Sequence, residues 1–271
     1  MMYLTFEAQP DLAALVKCYW TLEVPAREDV DRQLIVPDGC IEMAFILGDD
    51  IMRYTSDDEF VLQPRAMVLG QITRQFYIKP TGAVDSFAVR FYPYGFASFA
   101  RVNINTLSNT ETPLAALFGE EASRLLSQRV FQANNTRARI DIVESFLLHR
   151  LSEKETIDKI VHEAVEAMLG TKGSSAIEDI LNEAVSGRRR LERAFRQKIG
   201  LSPKQLSKVI RLQAAMKMVL NRQSQSLTEI AYESDYYDQA HFIRDFKEFT
   251  GTTPRKFLGA ESMSLSALIY K

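Results

Sequence analysis

One stretch of this chain occurs twice, and that repeat constrains the fold more tightly than anything else in its 271 residues. Ser175-Ala-Ile-Glu178 and Ser226-Leu-Thr-Glu229 lie 51 residues apart, and each has the form of a capping box. The same offset links Leu191 to Phe242, Arg193 to Arg244, Phe195 to Phe246, Gly200 to Gly251, Pro203 to Pro254 and Leu206 to Phe257. Nearer the boxes the register slips by one, Ile180 corresponding to Ile230, so the second copy has a turn one residue longer. A match that mixes caps, core positions and terminators predicts the same supersecondary unit built twice.

Each copy reads as a short capped helix (about 176–185 and 227–233), a tight turn, and a second helix (about 188–199 and 239–250) stopped by Gly200 or Gly251. Serine or threonine followed by proline then opens another helix, with proline at the first helical position, where its missing N–H costs nothing. Leu191 and Phe195, like Phe242 and Phe246, are spaced four apart and predict one buried stripe. That spacing turns Arg189, Glu192, Arg193 and Arg196 outward on one second helix, and Gln239, Ala240, Ile243, Arg244 and Lys247 outward on the other. A capped helix, a tight turn and a helix with outward Arg and Gln is the helix-turn-helix pattern. Arginine can pair bidentately with guanine, glutamine with adenine, and glutamate can accept from cytosine N4. Residues 203–221 read as one helix of roughly 27 Å at 1.5 Å per residue, a rod able to place two recognition helices about one turn of DNA apart.

The net charge of −2 argues against a nucleic-acid partner until it is divided. Residues 1–154 carry 15 Lys+Arg against 20 Asp+Glu, a net of −5, whereas residues 155–258 carry 17 against 14, a net of +3. Arg188, Arg189, Arg190, Arg193, Arg196 and Lys198 fall within eleven residues. A basic run standing alone is usually a solvated helix face; here it coincides with the outward face of a repeated helix.

The first 94 residues are β in character. Val16–Leu22, Leu34–Val36, Ile41–Ile46, Phe60–Leu62, Ala66–Leu69, Phe76–Ile78 and Phe87–Tyr92 are short apolar runs divided by Pro and Gly, the signature of a small sandwich or barrel. Pro37-Asp38-Gly39 reads as a turn joining two of them and nothing more. After Thr112-Pro113 the period becomes helical: 120–133, 137–151, and a helix opened by a capping box at Ser152–Glu155 that runs to about Leu169 and ends at Gly170–Gly173. The fold class is therefore α+β: a β-rich domain with C-terminal helices (1–154), an all-α domain of two helix-turn-helix units joined by a long helix (155–258), and a tail (259–271).

Residues from about 156 to 258 resemble the DNA-binding domain of AraC/XylS-type transcription regulators. The resemblance rests on Glu229-Ile-Ala-Tyr232, on the run Asp238-Gln-Ala-His-Phe-Ile-Arg-Asp-Phe-Lys247, on Gly251-Thr-Thr-Pro254, and on Arg190-Leu-Glu-Arg-Ala-Phe-Arg196 in the first copy. It implies two helix-turn-helix units on one long helix, occupying successive major grooves of promoter DNA. Asp235-Tyr236 stands where the family often has Gly-Phe, and Asp tolerates the left-handed conformation better than most residues. Gly187 stands where a serine commonly precedes the first recognition helix, with Ser186 as an alternative cap, and Ala240 replaces a frequent serine. These departures bear on base preference more than on fold. The N-terminal region resembles the sensor-like domain of a poorly characterised branch of the family, through Tyr19-Trp20, Pro37–Glu42, Leu69-Gly-Gln71 and Arg90–Gly95.

The expected function is a one-component, sequence-specific DNA-binding transcription regulator. Arg189, Glu192 and Arg193 are expected at base edges in one site. Gln239, Ala240, Ile243 and Arg244 take that role in the other, and Arg188 and His241 complete the interface. Arg196, Lys198, Lys204, Lys247, Arg255 and Lys256 are expected at phosphates, which give affinity without sequence information. RNA polymerase, a small-molecule effector and a second copy of the chain remain open as partners; no cofactor, metal or membrane is expected. Without a basic leader followed by an apolar stretch, the expected compartment is the cytoplasm. Two other function classes compete with this reading. A cupin-like enzyme would need clustered metal-ligating histidines, and residues 1–148 contain no histidine. A protein-interaction adaptor with degenerate helix-turn-helix units conflicts with the dense outward arginines. Tyr19, Trp20, Phe91, Tyr92 and Tyr94 could line an effector pocket, but aromatics in a small β domain are more often core, as a lone Cys40 is more often a small buried hydrophobe than a redox sensor. His149 and His162 fall on separate helical segments and not in a metal-ligating cluster, and the stripes in 113–151 suit packing on the β domain or a dimer contact.

Overall fold

The computed structural model describes residues 1–27, 31–152, 159–174, 185–221 and 226–257. The N-terminal half folds as two antiparallel sheets. The larger has strand order β1-β2-β9-β4-β7-β10: β1 (Met2–Phe6), β2 (Val16–Val24), β9 (Val84–Phe91), β4 (Ile41–Ile46), β7 (Ala66–Leu69) and β10 (Glu111–Pro113). The smaller has order β3-β8-β5-β6: β3 (Gln33–Ile35), β8 (Phe76–Pro80), β5 (Ile51–Tyr54) and β6 (Phe60–Leu62). Three strands escaped the sequence reading. β1 is a largely exposed edge strand, β5 is short and interrupted by Arg53, and β10 ends in proline. Pro37–Cys40 does not close a hairpin: β3 pairs with β8 and β4 with β9 and β7, so the turn carries the chain from one sheet to the other.

Side chains alternate across a strand, and the large sheet is apolar on both faces. Tyr19, Met43, Phe45, Phe87, Val89 and Phe91 point to one side, into a core shared with the helices. Trp20, Leu22, Ala44, Ile46 and Ala88 point to the other, towards the small sheet. This explains why β4 and β9 read as continuous apolar runs. Of the aromatics weighed as pocket candidates, Tyr19, Phe91 and Tyr94 are core, while Trp20 lines a cavity between the sheets. Cys40 is buried, and burial pushes its thiol up to about 12, away from thiolate chemistry.

Among the described residues, five α-helices precede the long one: α1 (Leu114–Phe118), α2 (Glu120–Gln132), α3 (Thr136–Ser152), α4 (Lys159–Gly170) and α5 (Val185–Lys198). Beyond them come α6 (Pro203–Asn221), α7 (Leu227–Glu233), α8 (Gln239–Thr250) and α9 (Pro254–Phe257). Leu126, Val130, Ile140, Val143 and Leu147 pack α2 and α3 on the large sheet, as the intramolecular reading of their stripes expects. Gly173 ends the α4 segment in the left-handed conformation (φ +77°), its N–H donating to the Met168 carbonyl at 2.7 Å. The ring of His162 lies edge-on to Tyr94, 4.8 Å between centroids, so this histidine does have a partner. The capping boxes at Ser152–Glu155 and Ser175–Glu178, the first helix of the first copy, the 154/155 boundary and the tail lie outside the described residues. No described helix is long and apolar enough to cross a membrane.

Candidate nucleic-acid interface

The second copy shows how local chemistry builds a helix-turn-helix. Ser226 caps α7: its Oγ accepts from Glu229 N at 3.1 Å while Glu229 Oε2 accepts from Ser226 N at 3.0 Å. Asp235 takes the left-handed conformation (φ +55°), the turn expected where the sequence has no glycine. Tyr236 then folds under, its N–H donating to Ala231 O at 2.9 Å and its ring packing on Phe242. Asp238 caps the recognition helix α8 through a 2.6 Å bond from His241 N, and Gly251 stops it at φ +71°. The expected bounds of α6 and α8 match those observed.

The recognition helix of the first copy, α5, begins earlier than expected. Val185–Lys198 is continuous helix, so Gly187 lies inside its first turn and not before it. Gly200 terminates this helix at φ +89°. Ser202 and Gln205 form a capping box that pattern reading missed: Gln205 Oε1 accepts from Ser202 N at 2.9 Å, and Ser202 Oγ accepts from Gln205 N at 3.2 Å. Serine-Pro-x-Gln carries the signal, with Gln in the place of the more familiar Glu.

The apolar stripe and the outward face separate as the spacing predicts. Leu191, Phe195, Phe242 and Phe246 are buried. Arg188, Arg189, Glu192, Arg193, Arg196, Lys198 and Lys204 are exposed around the first recognition helix, and Ala240, Arg244, Lys247, Arg255 and Lys256 around the second. Three of the nominated side chains are committed elsewhere in part. Gln239 Oε1 accepts from Thr228 Oγ1 at 3.0 Å, Ile243 packs against the core of the second unit, and the His241 ring lies edge-on to Tyr236. Arg188 and Glu192 pair at 3.7 Å one turn apart, a surface contact worth little.

Asp245 was not singled out by sequence reasoning. It is buried in α8, with Lys208 Nζ at 3.1 Å, His241 Nε2 at 3.7 Å and Arg211 Nη2 at 3.9 Å. Lys208 and Arg211 belong to α6, so this carboxylate holds the second recognition helix to the long helix. The Lys208 ammonium is kept above its usual range by Glu248 and Asp245, against a larger opposing effect of burial.

The β domain touches both units from behind. Ser108 Oγ donates to Gly200 O at 3.2 Å, and Gln213 Nε2 on α6 donates to Pro37 O. Leu34 and Val36 join the core of the second unit, and Leu191, Phe195 and Ile199 join the core of the β domain. The outward basic face of neither recognition helix takes part in these contacts.

The fold and the basic faces can be set beside known proteins. Residues 4–113 match a domain of unknown function (DUF6597), and residues 181–260 match a helix-turn-helix domain. The chain is 28% identical over 169 residues to an uncharacterized HTH-type transcriptional regulator of Haemophilus influenzae, across 60% of this chain and 56% of that protein. The match thus spans little more than half of that relative. Among solved structures, that of ToxT from Vibrio cholerae superposes with a TM-score of 0.50 at 13% identity, covering 91% of this chain and 99% of the other. That protein shares the order of an N-terminal β domain and a C-terminal helix-turn-helix region. Residues 181–260 of this chain are a helix-turn-helix domain of the AraC type.

Proposed function

We propose that the chain is a sequence-specific DNA-binding transcription regulator, acting in the cytoplasm, with residues 1–154 regulatory and 155–258 binding promoter DNA. The observation that carries this is the repeated recognition helix whose exposed face is basic while its opposite face is core. Arg189, Glu192 and Arg193 read bases in one major groove; Arg244, with Gln239, Ala240 and Ile243, reads the other. Arg188, Arg196, Lys198, Lys204, His241, Lys247, Arg255 and Lys256 contact or flank phosphate. The acidic β domain is held behind the units, so it repels DNA from the wrong side and favours docking through the basic face. The chain performs no catalysis in this reading; signals reach it as a small molecule, and RNA polymerase or a second copy act as further partners.

Selection of bound DNA from a random pool, followed by gel shift across a salt series, tests this. Affinity should fall steeply with salt through counterion release. Arg193→Ala should cost about 1–3 kcal/mol at the selected site and relax one base preference. Equal loss on every sequence would move Arg193 to the phosphate set, and salt-independent binding would sink the nucleic-acid reading.

A further inference from the structure

The Pro37–Cys40 turn, legible only as a turn in the sequence, lies between two spaces. On one side Asp38 and Cys40 line the end of a cavity of about 120 Å³ between the two sheets. On the other, the same two residues and Arg90 line a cleft whose far wall is α6, at Ile210, Gln213 and Lys217. The turn is fastened to α6: Gln213 Nε2 donates to Pro37 O. A Cβ on Gly39 (φ +75°) would lie 3.2 Å from Leu206 Cδ1 and 3.5 Å from Val209 Cγ1 of the same helix. It is fastened to the β domain as well, by Gln71 Nε2 donating to Gly39 O at 3.0 Å. Anything that shifts the turn must therefore act on the helix that joins the two recognition units.

The cavity has a cause in the strand register. Trp20, Ala88, Ala44 and Met67 lie side by side across β2, β9, β4 and β7, so two methyl-sized side chains sit between large ones. The small sheet closes over the row without filling it. An apolar cavity on the order of 150 Å³ holds benzene, which sets the size class here at a single ring.

The polar end fixes the chemistry of the head group. Glu42 and Arg90 are direct cross-strand partners, and Asp38 approaches the same guanidinium at 3.7 Å. Two carboxylates already share the buried Arg90 guanidinium, so a ligand carboxylate would find that cation paired and would crowd two like charges. Glu42 Oε1 accepts from Trp20 Nε1 at 3.0 Å and from Arg90 Nε at 2.6 Å, with Arg90 Nη2 also at 2.6 Å. Glu42 itself lines the cavity, so its carboxylate is the acceptor that a donating head group would meet.

We propose that the cavity binds a single-ring molecule bearing a neutral or cationic hydrogen-bond donor, and that its occupancy is transmitted through Pro37–Cys40 to α6. The consequence for promoter binding rests on the regulator reading above; the site and its coupling to α6 do not.

The test uses the full chain and three probes, benzyl alcohol, benzylamine and benzoate, titrated against the fluorescence of Trp20, the sole tryptophan. The first two should give saturable changes, and benzoate should bind at least about tenfold more weakly. Ala44→Leu fills the row and should weaken benzyl alcohol at least about tenfold, whereas Met67→Ala widens it and should admit 4-isopropylbenzyl alcohol. No saturable response in the unmodified chain, or benzoate binding as tightly as benzylamine, overturns the site, as does unchanged binding by Ala44→Leu. For the coupling, amide exchange over residues 206–213 is followed with and without benzyl alcohol. Exchange should change about threefold or more in the unmodified chain. In Gln213→Ala the Trp20 response should persist while the exchange change disappears. Exchange indifferent to the probe in the unmodified chain, or equally responsive in Gln213→Ala, overturns the transmission. No DNA enters these measurements, so a chain that failed to bind DNA would sink the regulator reading and leave this result standing.

Discussion

The two helix-turn-helix copies share a repeat but stand on different foundations. In the first, Leu191, Phe195 and Ile199 are buried in a core that runs from the β domain through α4 to Leu206. In the second, Phe242, Phe246, Phe249 and Phe257 form a core with α6 and α7, to which the β domain adds, among the described residues, Leu34 and Val36. At matching positions the first copy has Ala194, Lys198 and Arg190 where the second has Asp245, Phe249 and His241. The first helix is thus an apolar stripe with a single aromatic under a dense basic face, secured by a neighbouring domain. The second secures itself with edge-to-face aromatics and a buried carboxylate. A repeat specifies the unit; what the unit leans on is written in the positions where the copies differ.

The largest test of this contrast is a pair of truncations. Phe195→Ala and Phe242→Ala each remove a fully buried ring and should cost about 3–5 kcal/mol. Their reach should differ. Trp20 reports on the β domain and far-ultraviolet circular dichroism on the helices. Phe195→Ala should lower the melting transition seen by both probes together, because its core is shared. Phe242→Ala should melt helical signal at a temperature where Trp20 is still native. Coincident transitions in both variants would break the contrast.

The next effect is electrostatic and belongs to the second copy alone. Asp245→Asn keeps the shape but removes the charge facing Lys208, Arg211 and His241. It should destabilise the second unit by about 1.5–3 kcal/mol, the range for hydrogen bonds to charged groups. Ala194→Asp in the first copy should bring no compensating gain, since the reciprocal cations are not arranged there. The check is chemical denaturation read by circular dichroism. An Asp245→Asn variant as stable as the parent would remove the carboxylate from the account of how α8 is held to α6.

Smaller again is the comparison of the two helix terminators. Gly200 and Gly251 both take positive φ, so alanine at either costs roughly 1–2 kcal/mol. Gly200 should be the more sensitive. An added Cβ there meets Ser108 Oγ at 3.1 Å and Ile104 O at 3.3 Å, groups fixed in the β domain. At Gly251 the nearest atom, 2.8 Å away, is the tip of the Gln75 side chain, which can swing aside. Denaturation midpoints of the two alanine variants decide the order; a larger loss at Gly251 would show that the terminators do not report the docking of the β domain.

How much of this was legible in the sequence follows the range of the interactions. The Ser226 box, the left-handed Asp235, the Asp238 cap and both glycine stops are decided within four or five residues, and each could be read from neighbours in the chain. The outward basic faces followed from helical period alone. Elements decided by distant partners were not legible. β5 exists because β8 and β6 flank it, and Asp245 is buried because α6 crosses its helix. Pro37–Cys40 looks like a turn in any local reading; its attachment to Gln213 spans 176 residues. The sequence starts α5 at least three residues late because Gly187 looks like a boundary, yet the helix passes through it.

The smallest effect belongs to two serine caps that open successive helices, and their local losses should be nearly alike. Ser202 opens α6 and Ser226 opens α7; each makes the reciprocal pair of bonds with the residue three positions on, and Ser202 Oγ also donates to Gln205 Oε1 at 2.9 Å. Ser202→Ala and Ser226→Ala should each cost about 1 kcal/mol, the usual loss when an N-cap acceptor is removed. Yet α6 is long, packed on both cores and preceded by a terminator held at Ser108, while α7 is seven residues with one buried edge. Ser202→Ala should therefore leave amide exchange in α6 nearly unchanged beyond its first turn, whereas Ser226→Ala should speed exchange throughout α7. Uniform acceleration across α6 in Ser202→Ala would mean that the long helix owes its order to its start and not to what packs along it, and the support assigned here to the β domain would then have to be reduced.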